Sequence, residues 1–173
     1  RLETALEANF LTRGSWHKSA GNHYRFNKAH LTFLSAAPGS NIVGATASTL
    51  LSLDEAQDIE IAKYDKQIAP MAASTNATRV FWGTAWSAQT LLARELRAAR
   101  EAEARDGIRR VFQVNAEEVR QEVPAYGMFV DEQIARMGRN HPMVRSQFFS
   151  EEIDFAGGLF TASRLGLMQG AHA

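Results

Sequence analysis

The chain contains no cysteine in 173 residues, so neither a disulfide framework nor a thiolate metal site is available to it. No apolar run approaches the length of about 18 residues that a membrane-spanning helix needs, and no signal-like apolar segment opens the chain. Acid is missing from one long stretch: no Asp or Glu occurs between Ala8 and Leu53. The histidines, His17, His23, His30, His141 and His172, show no His-x-x-x-His spacing and lack the flanking acids of a zinc hydrolase, which points to surface or capping roles. Internal repeats and low-complexity tracts are absent as well. What is present is 45% hydrophobic and 22% charged with a formal net charge of +0, a balance that supports one globular domain with a real core.

The most informative segment is Thr49-Leu50-Leu51-Ser52-Leu53-Asp54-Glu55-Ala56-Gln57-Asp58. A short apolar run that ends in adjacent acids reads as a buried strand delivering two carboxylates to the carboxyl end of a sheet, where open α/β folds place their ligands. That is the layout of a Walker B element, in which the first acid helps to hold Mg²⁺ and the second polarises the water that attacks a γ-phosphate. The competing reading is a solvated helix start, since Asp-Glu pairs are common there. A second apolar run, Val80 to Trp82, follows a helix-length segment and ends in Gly83-Thr84. Together the two runs predict a βαβ unit whose strand ends frame a phosphate-sized crevice.

With these elements in place, the sequence resembles the ATPase domain of phage terminase large subunits, the motors that package DNA into viral heads. The blocks that carry the resemblance are LSAAPGSNIVGATAS, LLSLDEAQD, MAASTNATRVFWGTAW, LLARELR, RRVFQV, EVPAYG and HPMVRSQFFSEEID, which span most of the chain in order. The resemblance implies an α/β fold with a mostly parallel, doubly wound sheet of the P-loop NTPase, additional-strand type. It implies that Asp54 is the Mg²⁺ ligand and Glu55 the catalytic acid, that Gln57 completes a DEAQ-type box, and that Gly83 and Thr84 form the coupling motif that senses the γ-phosphate. ATP and Mg²⁺ would be the cofactors. Double-stranded DNA, the portal protein, the small terminase subunit and further copies of the chain would be the partners, in the cytoplasm of a host cell and with no membrane contact.

One family element is missing. No Gly-x-x-x-x-Gly-Lys-Ser/Thr phosphate loop, nor a variant of it, occurs between Arg1 and Leu53, and a motor needs that loop because its N–H groups and lysine cradle the phosphates. The expectation is therefore a partial ATPase domain over residues 1–154, inactive in hydrolysis by itself, followed by a tail over 155–173 leading towards a nuclease domain. Without the phosphate-loop strand an inner sheet edge is left unpaired. It should pair with a second copy or be filled by a rearranged amino-terminal segment. The other functional class is a non-catalytic prophage remnant or binding module for DNA, portal or small subunit; a DEAQ-type helicase fits the 74–86 block less well.

The acid-free stretch places Arg13, Lys18, Arg25 and Lys28 among Phe10, Trp16, Tyr24 and Phe26. Three readings fit it: a solvated face over core aromatics, a DNA contact, or an arginine, Arg13 or Arg25, offered to a neighbouring subunit's γ-phosphate.

Local signals predict the remaining elements. Leu2, Leu6 and Phe10 give a helix over 2–11, Gly14 and Gly21 mark a connection or hairpin, and 31–34 reads as a strand before a turn at 37–41. A helix over 59–68 should stop before Pro70. The clearest helix runs over 87–104 and ends at Asp106-Gly107, with Leu91, Leu92, Leu96 and Ala99 as its apolar stripe and Arg94, Arg97, Glu101 and Arg105 facing outward. Residues 109–114 read as a strand, Asn115 with Glu118 as a cap opening a short helix, Pro124 as the end of that helix or a first-turn residue of another that extends to Gly138, and 144–149 as a last strand.

Overall fold

The computed structural model describes residues 1–19 and 21–153; the tail expected over 155–173 lies outside them. The chain divides into two compact units, Arg1–Gly44 and Ala45–Ala173.

In the first unit a short helix α1 (Leu2–Ala8) is followed by an antiparallel meander of β1 (Trp16–Lys18), β2 (His23–Phe26) and β3 (Ala29–Thr32), ordered β1-β2-β3. The strands sit where aromatic and β-branched residues alternate with polar ones, and Gly21 supplies the positive φ of the first turn at 66°. Tyr24 is the buried centre, with Trp16 and Phe33 rings 6.0 and 5.9 Å away. The third strand begins two residues earlier than expected, because its register is set by pairing Phe26 with Ala29 across a tight turn.

The second unit holds a parallel pair, β4 (Leu50–Leu53) and β5 (Thr78–Phe81), in register from Leu50↔Thr78 to Leu53↔Phe81. The connection between them is largely helical but irregular: a 3₁₀ turn Ala56–Asp58, α2 (Ile61–Lys63), a π-helical turn Tyr64–Ile68 and a second 3₁₀ turn Ala69–Ala72. It does not stop before Pro70. Proline fits at the start of that last turn, where its missing N–H costs nothing. The fold is thus α/β, with a two-stranded parallel sheet and a separate three-stranded antiparallel one. Among the described residues neither β4 nor β5 gains a third strand. The amino-terminal segment builds its own sheet instead of filling that edge, which overturns one of the two arrangements expected for it.

Four helices follow: α3 (Leu91–Asp106), α4 (Ala116–Glu122), α5 (Pro124–Met137) and α6 (Pro142–Phe149). Thr90 caps α3 by accepting from the Ala93 N–H, and Gly107 ends it in the left-handed region at φ 71°. Leu91 is fully buried, and Leu92, Leu96 and Ala99 are half-buried as the stripe requires. Arg94 departs from the expected outward face: its guanidinium forks onto Asp65 at 2.8 and 3.0 Å and lies 5.4 Å from the Tyr64 ring, tying α3 to the β4–β5 connection.

Two predicted strands are absent. Residues 109–114 run without a ladder partner, their backbone N–H groups at Arg110 and Val111 bonded instead to the Glu103 carboxylate. Residues 144–149 lie in α6. Pro142 in its first turn and the His141 ring, which accepts from the Met143 N–H at 3.3 Å, start a helix there, and an apolar run alone cannot distinguish a strand from a buried helix. Val144 and Ser146 of α6 are fully buried with Val130 of α5, beside a cluster of Tyr126, Phe129 and Phe148 rings.

Candidate functional site

The site is built at the carboxyl ends of the parallel pair. Leu53 is buried at 4% exposure and anchors β4, so the next residues, Asp54 and Glu55, emerge exposed. Two backbone bonds and one between side chains hold this end: Trp82 N–H donates to the Leu53 carbonyl and Ala56 N–H donates to the Trp82 carbonyl, each at 2.8 Å, and the Trp82 indole N–H donates to Ser52 Oγ at 3.0 Å. Gly83 and Thr84 follow directly. Parallel pairing therefore brings both sequence-predicted elements to one edge, which antiparallel pairing would have separated.

Glu55 turns the strand into the 3₁₀ turn by adopting φ 50° and ψ 47°. A left-handed conformation is uncommon for a residue other than glycine, asparagine or aspartate and costs on the order of 1 kcal/mol. Its backbone N–H bonds to Asp54 Oδ1 at 3.2 Å, a local contact that partly offsets this cost.

Gln57 joins the two elements. Its amide nitrogen donates to Glu55 Oε2 at 2.6 Å, and its amide oxygen accepts from the Thr84 backbone N–H at 3.2 Å. A Cβ built on Gly83 would fall 2.1 Å from that same amide oxygen, so glycine at 83 is what leaves room for the bridge. All five predicted site residues, Asp54, Glu55, Gln57, Gly83 and Thr84, are thus neighbours. The missed part is the bridge itself, since no local sequence signal links positions 27 residues apart. Behind the site, Tyr64 is buried at 2% exposure, and burial pushes its hydroxyl above the ordinary phenolic range. Asp65 is held below the usual carboxylate range by its hydrogen bonds from Arg94.

Exposed carboxylates suit a hard cation. Mg²⁺ commonly takes one or two of them and completes its shell with water and phosphate oxygens. Among the described residues no cluster of three or more His, Cys, Asp or Glu side chains could hold a metal without such help. The fit therefore extends to the carboxylate half of a nucleotide–metal site, while nothing in the acid-free stretch supplies the phosphate cradle. An open depression of about 490 Å³ beside Gln57 is lined by, among others, Asp58, Glu60 and Thr90. No protein-family model, curated protein or solved structure matches this chain. Among the described residues no helix is long and apolar enough to cross a membrane.

Proposed function

We propose that this chain is part of the ATPase motor of a phage terminase large subunit, the Walker B and coupling portion of a P-loop NTPase sheet, driving ATP-dependent DNA packaging in the complete protein. The observation that carries the reading is the side-by-side arrangement of Asp54-Glu55 and Gly83-Thr84 at the carboxyl ends of β4 and β5, the place where parallel α/β sheets bind nucleotides. The backbone conformation of Glu55 supports it further, because such outliers concentrate at functional sites.

Asp54 would hold Mg²⁺, which when bound neutralises charge on the phosphates. Glu55 orients and polarises a water through its carboxylate, of which Gln57 engages only Oε2. Thr84, tied through its N–H to the same glutamine, carries the state of the γ-phosphate side to the rest of the sheet. The phosphate loop is not in this segment, so hydrolysis belongs to the complete motor, together with double-stranded DNA, portal protein, small subunit and further copies. The second reading is a non-catalytic binding module for DNA, portal or small subunit.

DNA-stimulated ATP hydrolysis by the complete motor protein, measured beside its Glu55→Gln variant, separates the two. The motor reading expects turnover to fall by roughly 10²–10⁴-fold with ATP binding retained. No turnover in either protein returns the binding module, and equal turnover in both removes Glu55 from the catalytic role.

A further inference from the structure

We infer that the outer face of the β1–β3 sheet, centred on Arg25, is a surface that contacts the phosphate backbone of duplex DNA. His17 lies directly opposite Arg25 on one side and His30 directly opposite it on the other. Directly opposed residues share a face, so the three form a row across the sheet. His23, two residues before Arg25, shares that face and is fixed by a 2.9 Å contact between its Nδ1 and Thr32 Oγ1. Each of these side chains is exposed.

Charge separates the two faces. On the aromatic face Lys18 is neutralised by Glu3 at 2.8 Å, and the Tyr24 hydroxyl donates to the same carboxylate at 3.1 Å. On the outer face Arg25, with Lys28 in the adjoining turn, has no acidic partner among the described residues, and the sequence offers no acid between Ala8 and Leu53. Arg25 on its strand and Lys28 in the adjoining turn, without an internal counter-ion, are suited to an anion from outside. With strands about 4.8 Å apart the row covers roughly 10 Å, and duplex DNA presents a charge every 1.7 Å or so of its axis, both strands counted. Protein interfaces centre on buried apolar anchors, whereas backbone contact to DNA needs only cations and N–H donors. This face has the second composition. Choosing duplex DNA as the anion rests on the motor reading; the unpaired face does not.

The test is fluorescence anisotropy of the 173-residue chain with a short labelled duplex, titrated over salt and without nucleotide. Changing Arg25→Glu together with Lys28→Glu should weaken binding by about tenfold or more and lower the slope of log affinity against log salt by about 2. Lys18→Ser, on the other face, should leave both unchanged. If the glutamate pair unfolds the protein, Arg25→Gln with Lys28→Gln gives the same slope change. Unchanged binding by a folded variant overturns the inference, and so does preference for polyglutamate over the duplex. Failure of the motor reading is read separately, from Glu55→Gln turnover: hydrolysis that depends on Glu55 with DNA affinity indifferent to Arg25 removes the inference alone.

Discussion

Gly83 is the position at which the candidate site tolerates least. A methyl there would meet the Gln57 amide oxygen at 2.1 Å, Leu92 Cδ2 at 3.0 Å and the Ala56 nitrogen at 3.3 Å. The glutamine is by far the nearest of these, and swinging it away breaks its bonds to Glu55 and Thr84 together. Gly83→Ala should therefore cost roughly 1–3 kcal/mol, as overpacking usually does, and Gln57→Ala about 1 kcal/mol for its hydrogen bonds. Because both changes remove one interaction, the double variant should lose less than the sum. Urea unfolding of the four proteins measures this, and strict additivity would mean that Gln57 is not the obstacle at Gly83.

Among the elements, the carboxyl end of α3 is bound by acids more firmly than its length suggests. Arg110 forks onto Asp106 at 2.6 and 2.7 Å, and the Ile108 N–H adds a bond at 3.0 Å. The Arg110 side chain first, then the Ile108 N–H, lower the Asp106 carboxyl from its ordinary 3.8 to about 2. The folded value lies below the unfolded one, so the contribution is complete above about pH 4 and is lost as pH falls through about 2. Carboxyl carbon NMR should give Asp106 a midpoint near 2 and return it towards 3.8 in Arg110→Ala; a midpoint that stays near 2 there would reject Arg110 as the cause. This helix end was legible in the sequence because its signals are local: Asp106-Gly107 stop the helix whatever surrounds it, as Asn115 and Pro124 start the next two. Residues 109–114 and 144–149 were not, since alternation or an apolar run specifies a strand only where a partner strand is available. For 109–114 the available acceptor was the Glu103 side chain, and for 144–149 the start imposed by His141 and Pro142 decided the outcome.

For the whole molecule, the division at Gly44 separates the two activities proposed here. The site's bonds among Ser52, Glu55, Ala56, Gln57, Trp82 and Thr84 all come from within the second unit, while the Arg25 row lies entirely in the first. The sequence carried the parallel pairing that puts Asp54-Glu55 and Gly83-Thr84 at one sheet edge, because two strand-plus-polar-end motifs joined by a helix-length segment predict a βαβ unit. It could not carry the separation into units, which depends on the meander closing on its own aromatics, Trp16, Tyr24 and Phe33. A chain beginning at Ala45 should accordingly keep the Thr84 and Gln57 amide resonances of the 173-residue protein. Its affinity for duplex DNA should fall at least as far as that of the Arg25→Glu, Lys28→Glu variant. Shifted Thr84 and Gln57 resonances would show that the first unit shapes the nucleotide-type edge as well, and retained DNA affinity would move the DNA contact into the second unit.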